Sequence, residues 1–466
     1  MTTLPAGPKG LPVIGASYKW KGPETNLAWA REFGPLYSVR MGPNLMVYLN
    51  SIELVEEYME RKGDAFLGRP EGPAAIANGL LFGQGERWKE NRAAMTCAMK
   101  TGPSHATYED IIGTEADRVL QQMKSACAEP LHLDDFFLPA LTSRLATLLL
   151  GEALDCDSEV MNILVEQMRN LEEVDLTSKS TQMFLKVRHF RRPLEAISGR
   201  TIPDMFKMSE AMQAIIRQWI STRREALRKA DGKPDSNALL DHILVSEEYS
   251  SRPENDDKEL VQSLMDLFFG GVTSSLSAIE FFCLYLIHFP EVQNKVKDEL
   301  RRARSSNVTI SWANQQHFPY TRATLTEVLR LGSVTPSSLP HVATEDAIIE
   351  DKYEVPKGAF VLASIFSLHR DPRFYKDPEL FDPQRHLDDN GKFVKPKSYR
   401  PFGVGKRSCI GGHLAEIELF LFITRLLSQF RIRAIDPASP PPFECHMRII
   451  RRIKPFTCVL EPDDTP

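Results

Sequence analysis

The chain has 466 residues, more than one ordinary hydrophobic core, and is 42% hydrophobic and 26% charged, which argues against a disordered or low-complexity protein. Its formal net charge of −5 gives no global signal for nucleic acid, so a charge-driven partner has to use a local patch. The seven cysteines are scattered, with no CxxC pair and no Cys/His cluster at zinc spacing, which argues against a disulfide scaffold and for a reducing compartment.

In chain order, the start Leu4-Pro5-Ala6-Gly7-Pro8-Lys9-Gly10-Leu11-Pro12-Val13-Ile14-Gly15 forbids a helix and predicts an extended, semi-rigid hinge over 1–15. No charged leader precedes an apolar core there, so no signal peptide is expected. Strands are predicted at 36–41 and 45–49, and helical patterns from about residue 85 onward. The clearest helix covers 258–288, where Leu260, Leu264, Leu267, Phe268, Ile279, Leu284 and Ile287 occupy most of the circumference, as in a helix at the centre of a large protein. Pro290 breaks it, and 291–304 resumes as a charged surface helix. A helix over 320–331, strand-like alternation over 347–360, a helix over 412–430 and a C-terminal turn with a β hairpin complete a mainly α chain with a minor β portion. No repeat or long linker divides it, so a single domain is expected over 1–466. The longest apolar runs, 145–150 and 281–287, fall short of the roughly 20 residues that span a bilayer.

The chemistry concentrates in Pro401-Phe402-Gly403-Val404-Gly405-Lys406-Arg407-Ser408-Cys409-Ile410-Gly411-Gly412, which puts a cysteine at the entrance to a helix among glycines and two cations. A helix N-terminus and nearby Lys and Arg favour the thiolate, and glycine lets a planar ligand approach the backbone. The spacing F-x-x-G-x-R-x-C-x-G, met by Phe402, Gly405, Arg407, Cys409 and Gly411, resembles the haem-binding loop of the cytochromes P-450. The resemblance implies the P-450 fold, with haem b between the long central helix and the cysteine-loop helix, and Cys409 as the iron ligand. The other six cysteines read as small buried hydrophobes.

Further motifs match the same family. Glu327-Val328-Leu329-Arg330 supplies E-x-x-R, with both charges on one helix face. It is followed by Phe381-Asp382-Pro383-Gln384-Arg385-His386, similar to the family's P-E-R-F segment, although Gln384 and His386 stand where Glu and Phe are usual. The resemblance makes Glu327, Arg330 and Arg385 a buried ion network supporting the haem-side core. Trp88 and Arg92 match W-x-x-x-R, and with His341 and Arg407 they are the implied contacts of the haem propionates. Arg69-Pro70, Asp266-Leu267-Phe268-Phe269 and Glu418-Leu419-Phe420-Leu421-Phe422 look most like the microsomal drug- and steroid-oxidising branch. That branch carries an N-terminal membrane anchor before the Pro-rich hinge, so an anchor-free form is expected here.

The central helix departs from the pattern. The family's A/G-G-x-D/E-T-T/S pairs, without a gap, with Gly270-Gly271-Val272-Thr273-Ser274-Ser275, so Thr273 replaces the acid and Ser274 the threonine. Because a positioned proton donor contributes roughly 10²- to 10⁴-fold, this predicts slower or leakier oxygen activation through Ser274, or else a shifted water network through Thr273 and Ser275.

The function implied by resemblance is a haem-thiolate monooxygenase that inserts one atom of O2 into an apolar steroid, lipid or xenobiotic. Its electrons come from NADPH through a flavin-containing reductase, with cytochrome b5 as a further partner. The expected substrate-facing residues are Ile76, Leu80, Leu81, Phe82, Phe268, Phe269, Val334, Leu339, Ile449 and Ile450. Arg87, Lys89, Lys100, Lys406 and Arg425 are the expected cationic face for the reductase, with Glu416 opposing it. The expected location is the cytoplasmic face of the endoplasmic reticulum membrane, or the cytoplasm for a naturally soluble form. The altered Thr273-Ser274 pair keeps open a reductase-independent isomerase or peroxygenase acting on a lipid hydroperoxide or endoperoxide. A non-catalytic haem carrier or gas sensor would use the same ligand, but no signalling module accompanies it.

Overall fold

The computed structural model describes residues 3–70, 78–127, 129–173, 205–253, 257–447 and 450–463. Of the expected pocket residues, Ile76 and Ile449 lie outside the described residues. The chain divides into two compact units, Met1–Glu71 with Arg322–Gly412, and Gly72–Thr321 with His413–Pro466.

The first unit is built on a mixed four-stranded sheet. Leu36–Met41 pairs antiparallel with Asn44–Leu49, which runs parallel to Phe360–Ala363, which in turn takes His341–Val342 antiparallel. Alternate residues face opposite sides: Leu36, Leu45, Val47 and Leu49 join one core, and Tyr37, Val39 and Tyr48 the other. Burial on both faces explains why these strands are apolar nearly throughout. Two helices here precede residue 85 and correct the expectation that helical patterns begin there: Pro23–Phe33, and Ile52–Val55 continuing as a π turn to Arg61. The first had its signals in place, a proline at its first position and Gly34 just past its end.

The second unit is mainly helical. Lys258–His288 is long and apolar enough to cross a membrane by composition, but most of it is buried inside the protein. Leu264, Leu276, Ile279 and Leu284 of this helix, Phe137, Leu141 and Ala146 of Leu133–Leu150, and Phe420 and Ile423 of Gly412–Gln429 are all fully buried. The helix is not α throughout. Phe269–Thr273 is a π turn between the α segments Lys258–Phe268 and Ser274–His288. Beyond it, Pro290–Ser305 turns its Glu299 carboxylate to the start of Pro319–Gly332, accepting the N–H groups of Tyr320 and Thr321 at 2.8 Å each, so a buried acid does the work of a cap. The C-terminal strands Cys445–Met447 and Arg451–Ile453 form the expected hairpin, and Thr457–Pro462 lies between Phe430–Arg433 and Leu131–His132.

Candidate functional site

The cysteine loop is shaped by its own backbone. Gly403 and Gly405 take φ of 70° and 72°, a left-handed region closed to most side chains. Gly405 also passes so near the neighbouring turn that a Cβ would sit 2.0 Å from the Met59 carbonyl oxygen. The Cys409 N–H donates to the Phe402 carbonyl at 2.8 Å and Ser408 N–H to Gly405 at 3.0 Å, closing the loop just before Gly412 starts its helix. Within this mostly half-buried loop, Cys409 and Lys406 are the exposed residues. A Cβ on Gly411 would meet no atom within 4 Å, whereas one on Gly412 would sit 3.0 Å from the Phe402 ring. The backbone beside the sulfur is therefore open on the Gly411 side and packed by Phe402 at the helix start.

The same unit holds a buried ion network. Glu327 and Arg330, both fully buried, form a two-bonded pair at 2.7 Å for each bond, and Arg385 Nε donates to Glu327 Oε1 at 3.0 Å. His386, where the family has Phe, is a fourth member, its Nε2 lying 2.8 Å from Glu327 Oε2. Burial and the two arginines hold its ring neutral against the pull of Glu327, so Nε2 carries the proton and donates. Burial alone would raise the Glu327 pKa, but bonds from Arg330 and His386 outweigh it and bring it down to about 2. Arg330 spends its remaining donors on the carbonyls of His369, Pro378 and Leu380, so the network ties together the segment leading to the loop.

The segment Phe66–Arg69 gathers a second polar cluster, of one imidazole and two guanidiniums. The Phe66 carbonyl accepts from His341 Nδ1 at 2.7 Å, and the Leu67 carbonyl from Arg407 Nη2 at 2.8 Å. Arg69 itself donates to the carbonyls of Leu339 and Pro340, 3.0 Å each. Burial, then Arg69, and more weakly Arg407 push the His341 pKa down to about 3. A buried imidazole between two guanidiniums is a place where an anion is strongly favoured.

In the second unit, Trp88 and Arg92 stand one turn apart on the helix Gly85–Thr101, the guanidinium 5.9 Å from the indole centre. The Trp88 indole N–H donates to the Leu80 carbonyl at 3.1 Å. On the central helix, the three hydroxyls at 273–275 have separate fates. Thr273 is buried and donates back to the Phe269 carbonyl at 2.7 Å. Ser275 is buried and donates to Glu418, which pairs with buried Arg144 at 2.6 Å. Ser274 is partly open; it donates to the Gly270 carbonyl and has acceptor capacity left over. One turn earlier, a Cβ on Gly270 would meet nothing within 4 Å, so this stretch of helix offers a flat, open surface beside one hydroxyl. A π turn is a frequent mark of a functional site.

A family model described as Cytochrome P450 matches residues 5–460. The chain is a cytochrome P450. Among its curated relatives, Cytochrome P450 2C23 of Rattus norvegicus is 30% identical over 93% of this chain and 88% of its own length. Farnesoate epoxidase of Bombyx mori is 28% identical over 99% and 94%, and Cytochrome P450 2J2 of Homo sapiens 26% over 92% and 86%. The protein is thus a haem-thiolate oxidoreductase of the monooxygenase type, uses haem b and takes its electrons from a reductase partner. Its residues fit that cofactor: an exposed cysteine at a helix start, open backbone at Gly411 and a cationic cluster around His341 suited to a carboxylate.

The expected pocket residues of the P450 fall in both units. Leu80 is buried and Leu81 and Phe82 are half-buried beside the central helix; Phe268 is fully buried, 6.0 Å from the Trp219 ring centre, while Phe269 and Ile450 are half-buried. Val334 and Leu339 are half-buried in the first unit. The expected cationic face is largely neutralised by local acids: Arg87 pairs with Glu259, Lys89 with Glu86, Lys406 with Asp64 and Arg425 with Asp117. Sequence reasoning missed His386, Arg69 and Arg144. Arg69 was legible as a motif but had no role, and Arg144 carried no signal.

Proposed function

We propose that this P450 inserts one oxygen atom of O2 into an apolar substrate of the steroid, lipid or xenobiotic class, with electrons delivered from NADPH by a flavin-containing reductase. The carrying observation is the exposed Cys409 on a glycine-shaped loop at a helix start, where dipole and cations favour the thiolate. Haem, when bound, supplies the binding and reductive activation of O2. The protein's part is to hold and orient it: Cys409 as the iron ligand, Phe402 and Gly411 beside the ring, and Arg92, His341 and Arg407 toward the propionates, with Trp88, whose one N–H is held by the Leu80 carbonyl, stacked under Arg92. A propionate there would offset the field of Arg69 and Arg407 around His341.

On the central helix, Ser274 holds a water with its spare acceptor capacity and passes protons inward. Thr273, closed back onto Phe269, takes the place of the acid without replacing its chemistry. The apolar side chains Leu80, Leu81, Phe82, Phe268, Phe269, Val334, Leu339 and Ile450 line the substrate's path, and the relative named Farnesoate epoxidase favours the lipid member of the class.

We also assign the protein to the cytoplasmic face of the endoplasmic reticulum membrane. Support comes from the tight turn at 11–15, in which Val13, 89% exposed at φ 69°, projects with exposed Leu11, Ile14 and Tyr18 among Lys9, Lys19 and Lys21. A β-branched residue in the left-handed region is unfavourable, and an exposed apolar tip close in sequence to lysines suits an anionic bilayer surface. Cytochrome b5 is the second electron donor in this reading.

The deciding test is turnover of an apolar panel with a microsomal-type reductase. Substrate-dependent NADPH consumption is expected. Reductase-free conversion of a fatty-acid hydroperoxide would instead support the isomerase or peroxygenase reading, which the missing acid at Thr273 favours.

A further inference from the structure

In the second unit two exposed histidines bring their rings together. His105 opens the helix His105–Ser125 and His413 is the second residue of Gly412–Gln429. His413 Nε2 stands 3.5 Å from His105 Nδ1, with the ring centres 5.0 Å apart and the planes tilted by 52°. That separation is long for a hydrogen bond between ring nitrogens, which prefers about 2.7–3.2 Å. It is close to the roughly 3.3 Å that a tetrahedral ion with bonds of about 2.0–2.1 Å leaves between two of its nitrogen ligands.

The surrounding packing holds the pair at this spacing. The His413 ring meets Trp312 in a T-shaped contact, centres 5.8 Å apart, and Trp312 meets in the same way Phe420, fully buried on the His413 helix. The Trp312 backbone N–H donates to Glu109 Oε1 at 2.8 Å, one turn beyond His105, so one tryptophan braces both helices. Ser104 caps the His105 helix, its Oγ accepting the Thr107 N–H at 3.0 Å. Further along, Arg425 of the His413 helix donates to the Gly113 carbonyl and pairs with Asp117, both on the His105 helix. The two helices therefore run side by side in the same direction from nearly level starts.

We propose that His105 and His413 form a two-imidazole site for a divalent transition-metal ion of the zinc and copper kind. Neutral imidazole nitrogens suit such ions, whereas Mg2+ and Ca2+ prefer oxygen ligands. Among the described residues no third His, Cys, Asp or Glu joins the pair. Water therefore completes the coordination, as in an open, exchangeable site and unlike a closed structural one. The two helix starts oppose a cation by about two- to fivefold in affinity each. The carboxylates of Glu109 and Glu416, one turn along their helices, act against that penalty. A bound ion ties the first turns of the two helices together, and so stabilises the folded protein in proportion to its affinity.

The test uses the haem-loaded, tag-free protein with His105→Ala, His413→Ala and the double variant. Zn2+ binding is followed by titration calorimetry, Cu2+ by electron paramagnetic resonance, and stability by the unfolding temperature with and without Zn2+. The wild type should take up one Zn2+ that the double variant does not, and Zn2+ should raise the unfolding temperature of the wild type alone. Each single variant should bind at least about tenfold more weakly, because losing even a group that hydrogen-bonds a ligand costs about 10- to 100-fold. Bound copper should show two imidazole nitrogens in the wild type and one in each single variant, and Mg2+ at the same concentration should not compete. The reduced, carbon monoxide-bound spectrum checks that every variant is folded, and His105→Gln or His413→Gln replaces an alanine variant that is not. Equal Zn2+ titrations in the wild type and the double variant, a loss of affinity confined to one of the two histidines, or equal uptake of Mg2+ overturns the proposal.

Discussion

In the cysteine loop, the residues shared with the family have a local reason to be what they are. Gly405 must clear the Met59 carbonyl, Phe402 packs on the helix start, and the Arg407 guanidinium is held by the Leu67 carbonyl. On the central helix the residues that matter most, Thr273 and Ser274, differ from the family pattern, and the surrounding packing gives them different jobs: one hydroxyl is folded away and the next left partly open. The lesson is that holding the cofactor is a problem of backbone shape with few solutions, while proton handling is a problem of side-chain placement with several.

That contrast can be broken at its most rigid point first. Glu327→Gln leaves Arg330 buried without its counter-charge and should cost about 3–5 kcal/mol, measured by urea unfolding, with loss of haem retention. The same carboxylate sets an acid limit. Its pKa is lowered from 4.5 to about 2 in the folded protein, so its contribution of about 3 kcal/mol is fully present above pH 4.5 and is lost as the pH falls from there toward 2. Glu327→Gln should show a flatter stability profile across that window.

A smaller effect is expected beneath the central helix. Ser275→Ala removes a hydrogen bond to Glu418, whose pKa burial already raises against the pull of Arg144 and Ser275, and should cost about 2 kcal/mol with little change in catalysis. Restoring the family's pair through Thr273→Glu and Ser274→Thr should raise the coupling of NADPH to product several-fold, worth about 1 kcal/mol in the barrier. Unchanged coupling would show that Ser274 alone relays protons adequately.

The parts that were legible are those in which contiguous residues determine the backbone. The cysteine loop, the limits of the central helix and the Glu327–Arg330–Arg385 network could all be anticipated from motifs. His386 could not, because a histidine in place of phenylalanine has no fixed role until its Nε2 is seen 2.8 Å from Glu327. The π turn at 269–273 was invisible, since its sequence is equally compatible with a continuous α-helix. Ser275 and Glu418 are 143 residues apart, and only tertiary packing brings Arg144 to them. The early helices at Pro23–Phe33 and Ile52–Val55 were overlooked beside strands that dominate the local pattern.

The most direct measurement is the reduced, carbon monoxide-bound spectrum of the wild type and Cys409→Ala. A red-shifted Soret band in the wild type that disappears in Cys409→Ala is the predicted result; absence of that band in the wild type, or its survival in the variant, would contradict a thiolate ligand at Cys409.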